Sequence, residues 1–139
     1  MADAHAGNGM VVRFEGGKRV VTTWRGHTIA TDQPVAGGGD DTAPSPFDLF
    51  LASLGTCAGY YVLQFCAGRG IPLDGVRLEQ RWTRDPETKR ITAIDLAVIV
   101  PKDFPVKYHD AVARAAATCA VKKVLEQPPA MAIQVQSEL

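Results

Sequence analysis

Pro44-Ser45-Pro46-Phe47-Asp48-Leu49-Phe50-Leu51-Ala52-Ser53-Leu54-Gly55-Thr56-Cys57 is the passage on which the fold turns. Apolar residues at 47, 50, 51, 54, 58, 61, 62 and 65 recur at the three-and-four spacing of one helical face. The spacing predicts a long helix from Phe47 to about Gly68. Ser45 suits the N-cap, and Pro46 the first helical position, where a missing N–H costs nothing. Asp48 in the first turn complements the helix dipole. Gly68-Arg69-Gly70 supplies the stop. The rest of the surface is small, with Ala52, Ser53, Gly55, Thr56 and Gly59, so the helix is expected to be buried on most sides. Asp48 and Gln64 leave only 15 residues between them. A bilayer span needs about 20, so no membrane is expected.

Upstream, Val11-Val12-Arg13-Phe14, Val20-Val21-Thr22-Thr23-Trp24 and His27-Thr28-Ile29-Ala30-Thr31 are β-branched runs broken by Gly16-Gly17 and Arg25-Gly26. Such runs read as a meander. Residues 33–46, with three consecutive glycines and three prolines, are a loop. Downstream, Val76–Arg84 and Ile91–Val100 flank Asp85-Pro86-Glu87-Thr88-Lys89 and read as a β-hairpin, with the second strand nearer the core. Its length suits an arm that packs on something besides its own helices. Asp103 to Gln127 reads as a second helix, ended by Pro128-Pro129, and Ala132-Ile133-Gln134-Val135 as a closing strand. The order strand-strand-strand, helix, strand-strand, helix, strand is that of an α+β fold with largely antiparallel sheets.

The chain has 139 residues, 46% apolar and 22% charged, an ordinary globular composition for one domain. Residues 1–9 are small and polar and are expected to be flexible, leaving 10–139 as the domain. Fifteen basic residues balance fifteen acidic ones, so the basic excess of a nucleic-acid binder is missing. The first nine residues lack the basic and apolar segments of a secretion signal. A cytoplasmic location is the expectation, and any disulfide there serves chemistry rather than architecture.

Cys57 and Cys119 each fall on the apolar stripe of one of the two expected helices. If the helices pack through those stripes, the two sulfurs approach each other from 62 residues apart. The plainer alternative is that both are small buried hydrophobes. Cys66 lies nine residues after Cys57, about 13 Å along the same helix and on its other side, beyond disulfide reach. It reads as a spectator. His5, His27 and His109 are scattered, and no cysteine–histidine cluster has ligand spacing, so no metal is expected. His109, ten residues before Cys119, falls on another part of the helix face. A reactive thiol also needs something that favours the thiolate, and Arg13, Arg19 and Arg25 are the cations that the topology offers.

Gly37-Gly38-Gly39-Asp40 followed by the stretch Pro44 to Cys57 resembles the OsmC/Ohr family, in which a loop ending in proline enters a helix that carries the first cysteine. Ala115-Ala116-Ala117-Thr118-Cys119-Ala120-Val121 is similar to the family's second cysteine helix, and the likeness runs over about residues 10–136. The resemblance implies antiparallel sheets wrapped around two long central helices in an intertwined homodimer, with active sites at the subunit interface. It implies a thiol peroxidase acting on organic hydroperoxides. Cys57 would attack the peroxide and become a sulfenic acid, and Cys119 would resolve it to a Cys57–Cys119 disulfide. An external dithiol of the lipoyl type would reduce that disulfide, and no bound cofactor is needed. In the hydroperoxide-resistance subgroup an arginine from the N-terminal strands pairs with the thiolate; Arg19 or Arg25 would match it here. That subgroup also has a glutamate ten residues before the first cysteine. Phe47 stands there in this chain, and the acid comes one residue later at Asp48, about 100° around the helix. Pro46-Phe47-Asp48-Leu49-Phe50 looks more like the general OsmC-like branch. The alternative reading is a non-catalytic dimeric module that binds a small apolar ligand at its interface.

Overall fold

The computed structural model describes residues 9–138. The N-terminal segment read as flexible lies, Gly9 apart, outside the described residues. The chain divides into two compact units, Met1–Ala52 and Ser53–Leu139.

The first unit is the expected meander. β1 (Val11–Phe14), β2 (Val20–Trp24) and β3 (His27–Thr31) form an antiparallel sheet in the order β1-β2-β3. Val11 pairs with Thr23, and Val20 with both Phe14 and Thr31. Two residues, Arg25 and Gly26, join β2 to β3, with φ of 48° and 81°. Positive φ at both positions marks the tight turn whose twist matches that of a hairpin. Val21 on the central strand is buried. After a turn of 3-10 helix at Val35–Gly37 the loop leads to α1, Pro46–Ala67, which begins in this unit.

The second unit takes up α1 from Ser53 and adds β4 (Arg77–Arg84), β5 (Ile91–Ile99), a 3-10 turn at Val106–Tyr108, α2 (His109–Ala117) and α3 (Ala120–Glu126). β4 and β5 pair antiparallel, from Arg77 opposite Ile99 to Arg84 opposite Ile91. The core is a cluster of Val62, Phe65 and Cys66 from α1 with Phe104 and Val112. Phe65 meets the ring of Tyr108 edge-on at 5.7 Å. The Arg69 guanidinium lies 3.7 Å from the Phe65 ring centre and donates to the Phe65 carbonyl at 3.1 Å. Burial pushes the Cys66 thiol above its ordinary range, against the pull of Arg69.

Two expectations need correction. The second long helix is two shorter ones, of nine and seven residues, so the described residues hold one long helix, of 22 residues, rather than two. The break has a local cause. The Thr118 hydroxyl donates back to the Ala115 carbonyl at 2.7 Å, and the Thr118 N–H bonds the same carbonyl at 3.1 Å. A side chain that competes for backbone partners this way interrupts a helix, and Cys119 follows in an extended conformation. The closing segment Ala132–Val135 forms no strand, because a strand exists only by pairing and no edge in the described residues accepts it. Ile133 and Val135 are 94% and 98% exposed.

Candidate functional site

Cys119 is the N-cap of α3. Its backbone is extended, with φ −60° and ψ 142°, and its Sγ accepts the N–H of Lys122 at 3.3 Å. A cap side chain satisfies one of the orphan donors of a helix start, ordinarily through oxygen and here through sulfur. Only 2% of Cys119 is exposed to solvent. Its other side forms part of the wall of a cavity of about 510 Å³. β5 supplies Ile94, Leu96 and Val98 to that wall, α2 supplies Val112, Ala113, Ala116 and Ala117, and α3 supplies Leu125. Leu54 and Ala58 of α1 complete it. The polar groups in this hydrocarbon are Cys119, His109 and Lys122, and the Lys122 ammonium pairs with Glu126 at 3.3 Å.

Cys57 sits on α1 between Leu54 and Ala58 and is half-buried. All three cysteines are free thiols. Cys66, read as a spectator, is sealed in the core. His109 was placed by periodicity on a different face from Cys119, yet both line the same cavity. The break at Thr118 changes the register on which that periodicity depended. Among the described residues no three His, Cys, Asp or Glu side chains gather to hold a metal.

The remaining sequence candidates lie in the first unit. Arg25 occupies the exposed β2–β3 turn. Asp48 and Ser45 form a reciprocal cap at the start of α1: the Ser45 N–H donates to Asp48 Oδ2 at 3.1 Å, and the Asp48 N–H to Ser45 Oγ at 3.2 Å. Arg19 donates through Nη1 to the Thr42 hydroxyl, and its Nη2 lies 3.6 Å from Glu15. Thr42 in turn donates its hydroxyl to Asp32 Oδ2 at 2.6 Å and its N–H to the same oxygen at 3.0 Å. The Gln33 N–H donates to Asp32 Oδ1 at 2.7 Å. Asp32 is 1% exposed. The Thr42 hydroxyl, the Thr42 N–H and the Gln33 N–H together hold its carboxyl down from 3.8 to about 2, while burial works in the opposite sense.

Sequence reasoning did not single out Asp32, Thr42 or Gly39. Asp32 carried a faint signal, since an aspartate at the junction of a strand and a Gly/Pro-rich loop often bonds the backbone just after it. Thr42 carried none. At Gly39 a Cβ would stand 2.1 Å from the Gln33 carbonyl oxygen and 2.8 Å from Asp32 Oδ1, so the loop closes on the carboxylate only with glycine there.

The family profile for OsmC-like protein matches residues 38–134, more than half of the chain and the whole of the cysteine-bearing region. The chain belongs to the OsmC-like family. Solved structures share the fold of this OsmC-like chain. A Psychrobacter arcticus protein described as an osmotic stress induced and detoxification response protein superposes with a TM-score of 0.70 at 23% identity, over 86% of this chain and 88% of its own. An OsmC like protein from Mycoplasma pneumoniae gives 0.66 at 12% identity, over 86% and 87%. The organic hydroperoxide resistance protein OhrB of Bacillus subtilis gives 0.51 at 19% identity, over 87% and 93%. At these identities the likeness is one of fold. No curated protein matches the chain.

Proposed function

We propose that this OsmC-like protein is a thiol peroxidase that reduces organic hydroperoxides. The observation that carries the reading is the cavity in the second unit: an apolar space walled by Cys119 and by Leu54 and Ala58, the neighbours of Cys57 on α1. Hydrocarbon walls suit the organic half of a hydroperoxide. The sulfur in the wall is Cys119, the resolving thiol of this reading; Cys57 is not a lining residue and stands on α1 next to Ala58, which is. The Cys57 thiolate attacks a peroxide oxygen; the O–O bond breaks, the alcohol leaves with a proton, and Cys57 becomes a sulfenic acid. The Cys119 thiol then displaces water to give a Cys57–Cys119 disulfide, and an external dithiol of the lipoyl type returns both thiols by exchange. An arginine, Arg19 or Arg25, favours the thiolate. OhrB of Bacillus subtilis is an organic hydroperoxide resistance protein of the same fold, which supports the substrate class.

The same reading has the protein act as a cytoplasmic homodimer. Met131, Ile133 and Val135 alternate along an unpaired segment, and Tyr60 and Leu63 of α1 are about half exposed. A second copy would cover such surfaces.

The test is a thiol count on the reduced protein before and after one equivalent of cumene hydroperoxide. Two of the three thiols should vanish, Cys119→Ser should stop at the sulfenic acid, and Cys57→Ser should leave peroxide and thiols untouched. Peroxide consumption by Cys57→Ser at the parent rate would end the reading. Light scattering of the same sample should return twice the 14.9 kDa chain mass, and a monomer removes the dimer from the proposal. The cavity also favours a second reading, a binding module for a small apolar ligand. An unchanged thiol count with a ligand-dependent rise in Tm is its signature.

A further inference from the structure

α2 and α3 are held in the second unit by unlike means. α2 buries Val112 in the apolar core cluster. α3 has no buried residue between Ala120 and Glu126, and Val124 and Leu125 are about half exposed. At seven residues it is also too short to hold together on helix propensity alone. Breaks flank it on both sides. Thr118 and the extended Cys119 interrupt the chain before it, and Pro128, with no N–H to give, stops it after Gln127. Yet Cys119, Lys122 and Leu125, three apart, place one face of this short segment on the cavity. The buried residue of that face is Cys119, 2% exposed, whose Sγ accepts the Lys122 N–H at 3.3 Å. The ion pair from Lys122 to Glu126 runs within α3. A wall with so little buried surface, capped through one sulfur, opens at a low free energy.

The cap depends on the chemical state of that sulfur. A thiol sulfur accepts an N–H, and a thiolate accepts it more strongly. In a disulfide the sulfur has no charge to offer, and its direction from the backbone is set by the partner across the new bond. Oxidation of Cys119 to a disulfide therefore leaves the Lys122 N–H, one of the orphan donors of the helix start, without its acceptor.

We propose that α3 is a redox-latched lid on the cavity: Cys119 as a thiol holds it closed, and Cys119 in a disulfide releases it. The inference rests on the peroxidase reading for its natural oxidant. There the Cys119 thiol attacks the Cys57 sulfenic acid, the S–O bond breaks, water leaves with the thiol proton, and the S–S bond forms. The lid then opens on a cavity that holds the product alcohol, and reduction by the external dithiol closes it again.

The experiment is amide exchange of the full chain, read by mass spectrometry over Ala120–Glu126, with α2 as the internal reference. One equivalent of cumene hydroperoxide added to the reduced protein should speed exchange in α3 about threefold to thirtyfold, the worth of a helix cap, and leave α2 unchanged. Dithiothreitol should reverse the change. Methyl methanethiosulfonate on Cys57→Ser gives the same answer without peroxide: it places a methylthio group on Cys119 with release of methanesulfinate, and α3 should again exchange faster. Cys119→Ala, which deletes the acceptor without adding bulk, should exchange fast before and after either reagent, and Cys119→Ser slowly before and after. Unchanged α3 exchange in methylthiolated Cys57→Ser overturns the inference, as do equal rises in α2 and α3 or equal exchange in Cys119→Ala and Cys119→Ser. If methylthiolation frees α3 while peroxide forms no Cys57–Cys119 disulfide, the peroxidase reading falls and the lid stands. If peroxide forms that disulfide while α3 exchanges at the reduced rate, the lid alone falls.

Discussion

The loop around Asp32 and the cavity around Cys119 are built from opposite materials. In the first unit a buried carboxylate gathers three hydrogen bonds and the loop from Gln33 to Thr42 closes over it. In the second, a sulfur is set in hydrocarbon and makes one weak bond to its own helix. The first arrangement orders a chain segment that has almost no apolar residues with which to order itself. The second leaves space, because branched side chains from β5 and small ones from α2 do not fill the volume between them. An anion needs local donors, whereas a thiol tolerates an apolar wall; the difference lies in the cost of burying each without partners.

The contrast can be broken at three points. Phe65→Ala has the largest expected effect. It empties the centre of the apolar cluster and strips the face on which Arg69 lies. The loss should be about 3–5 kcal/mol of unfolding free energy in urea melts. A loss below about 1 kcal/mol would show that this cluster does not carry the stability of the second unit.

Asp32→Asn probes the polar side, and its signature is a pH dependence. The folded carboxyl titrates at about 2 and the ordinary one at 3.8. Its contribution to stability is therefore fully present above about pH 4 and fades as the pH falls through that window. The urea midpoint of Asp32→Asn should lie below that of the parent at pH 6, and the gap should close toward pH 2. A gap that stays constant with pH would mean that the charge of Asp32 is not what the loop uses.

The smallest effect belongs to the Cys119 cap. Cys119→Ala should cost about 1 kcal/mol and speed amide exchange at Lys122, while Cys119→Ser should preserve both. Equal exchange in the two variants would show that the sulfur does not cap α3.

How far each region could be read from sequence follows the same contrast. α1 was legible nearly to the residue, because period, cap and stop all agreed over Ser45 to Gly70. The meander and the hairpin were legible because β-branched runs and turn residues alternate there. The second helix was not, because an i to i−3 bond from one threonine hydroxyl breaks it, and periodicity carries no record of such a bond. That one break moved Cys119 from a helix stripe to a helix cap and brought His109 to the same cavity. The closing segment has the alternation of a strand, but alternation specifies a face and not a partner. Asp32 and Thr42 stand ten residues apart and are joined only by the way the loop folds back. Arg19 was legible as a candidate cation, while the group that holds it was not.

Ala113, Ala116 and Ala117 of α2 all border the space beside Cys119. Each is a methyl where a longer side chain would reach inward, so the capacity of the chamber is set by three single-codon choices. Graded replacement by valine, leucine and phenylalanine at these places would shrink it stepwise without altering the sulfur. The bulk of molecule admitted is thus a dial that selection, natural or in the laboratory, can turn on its own.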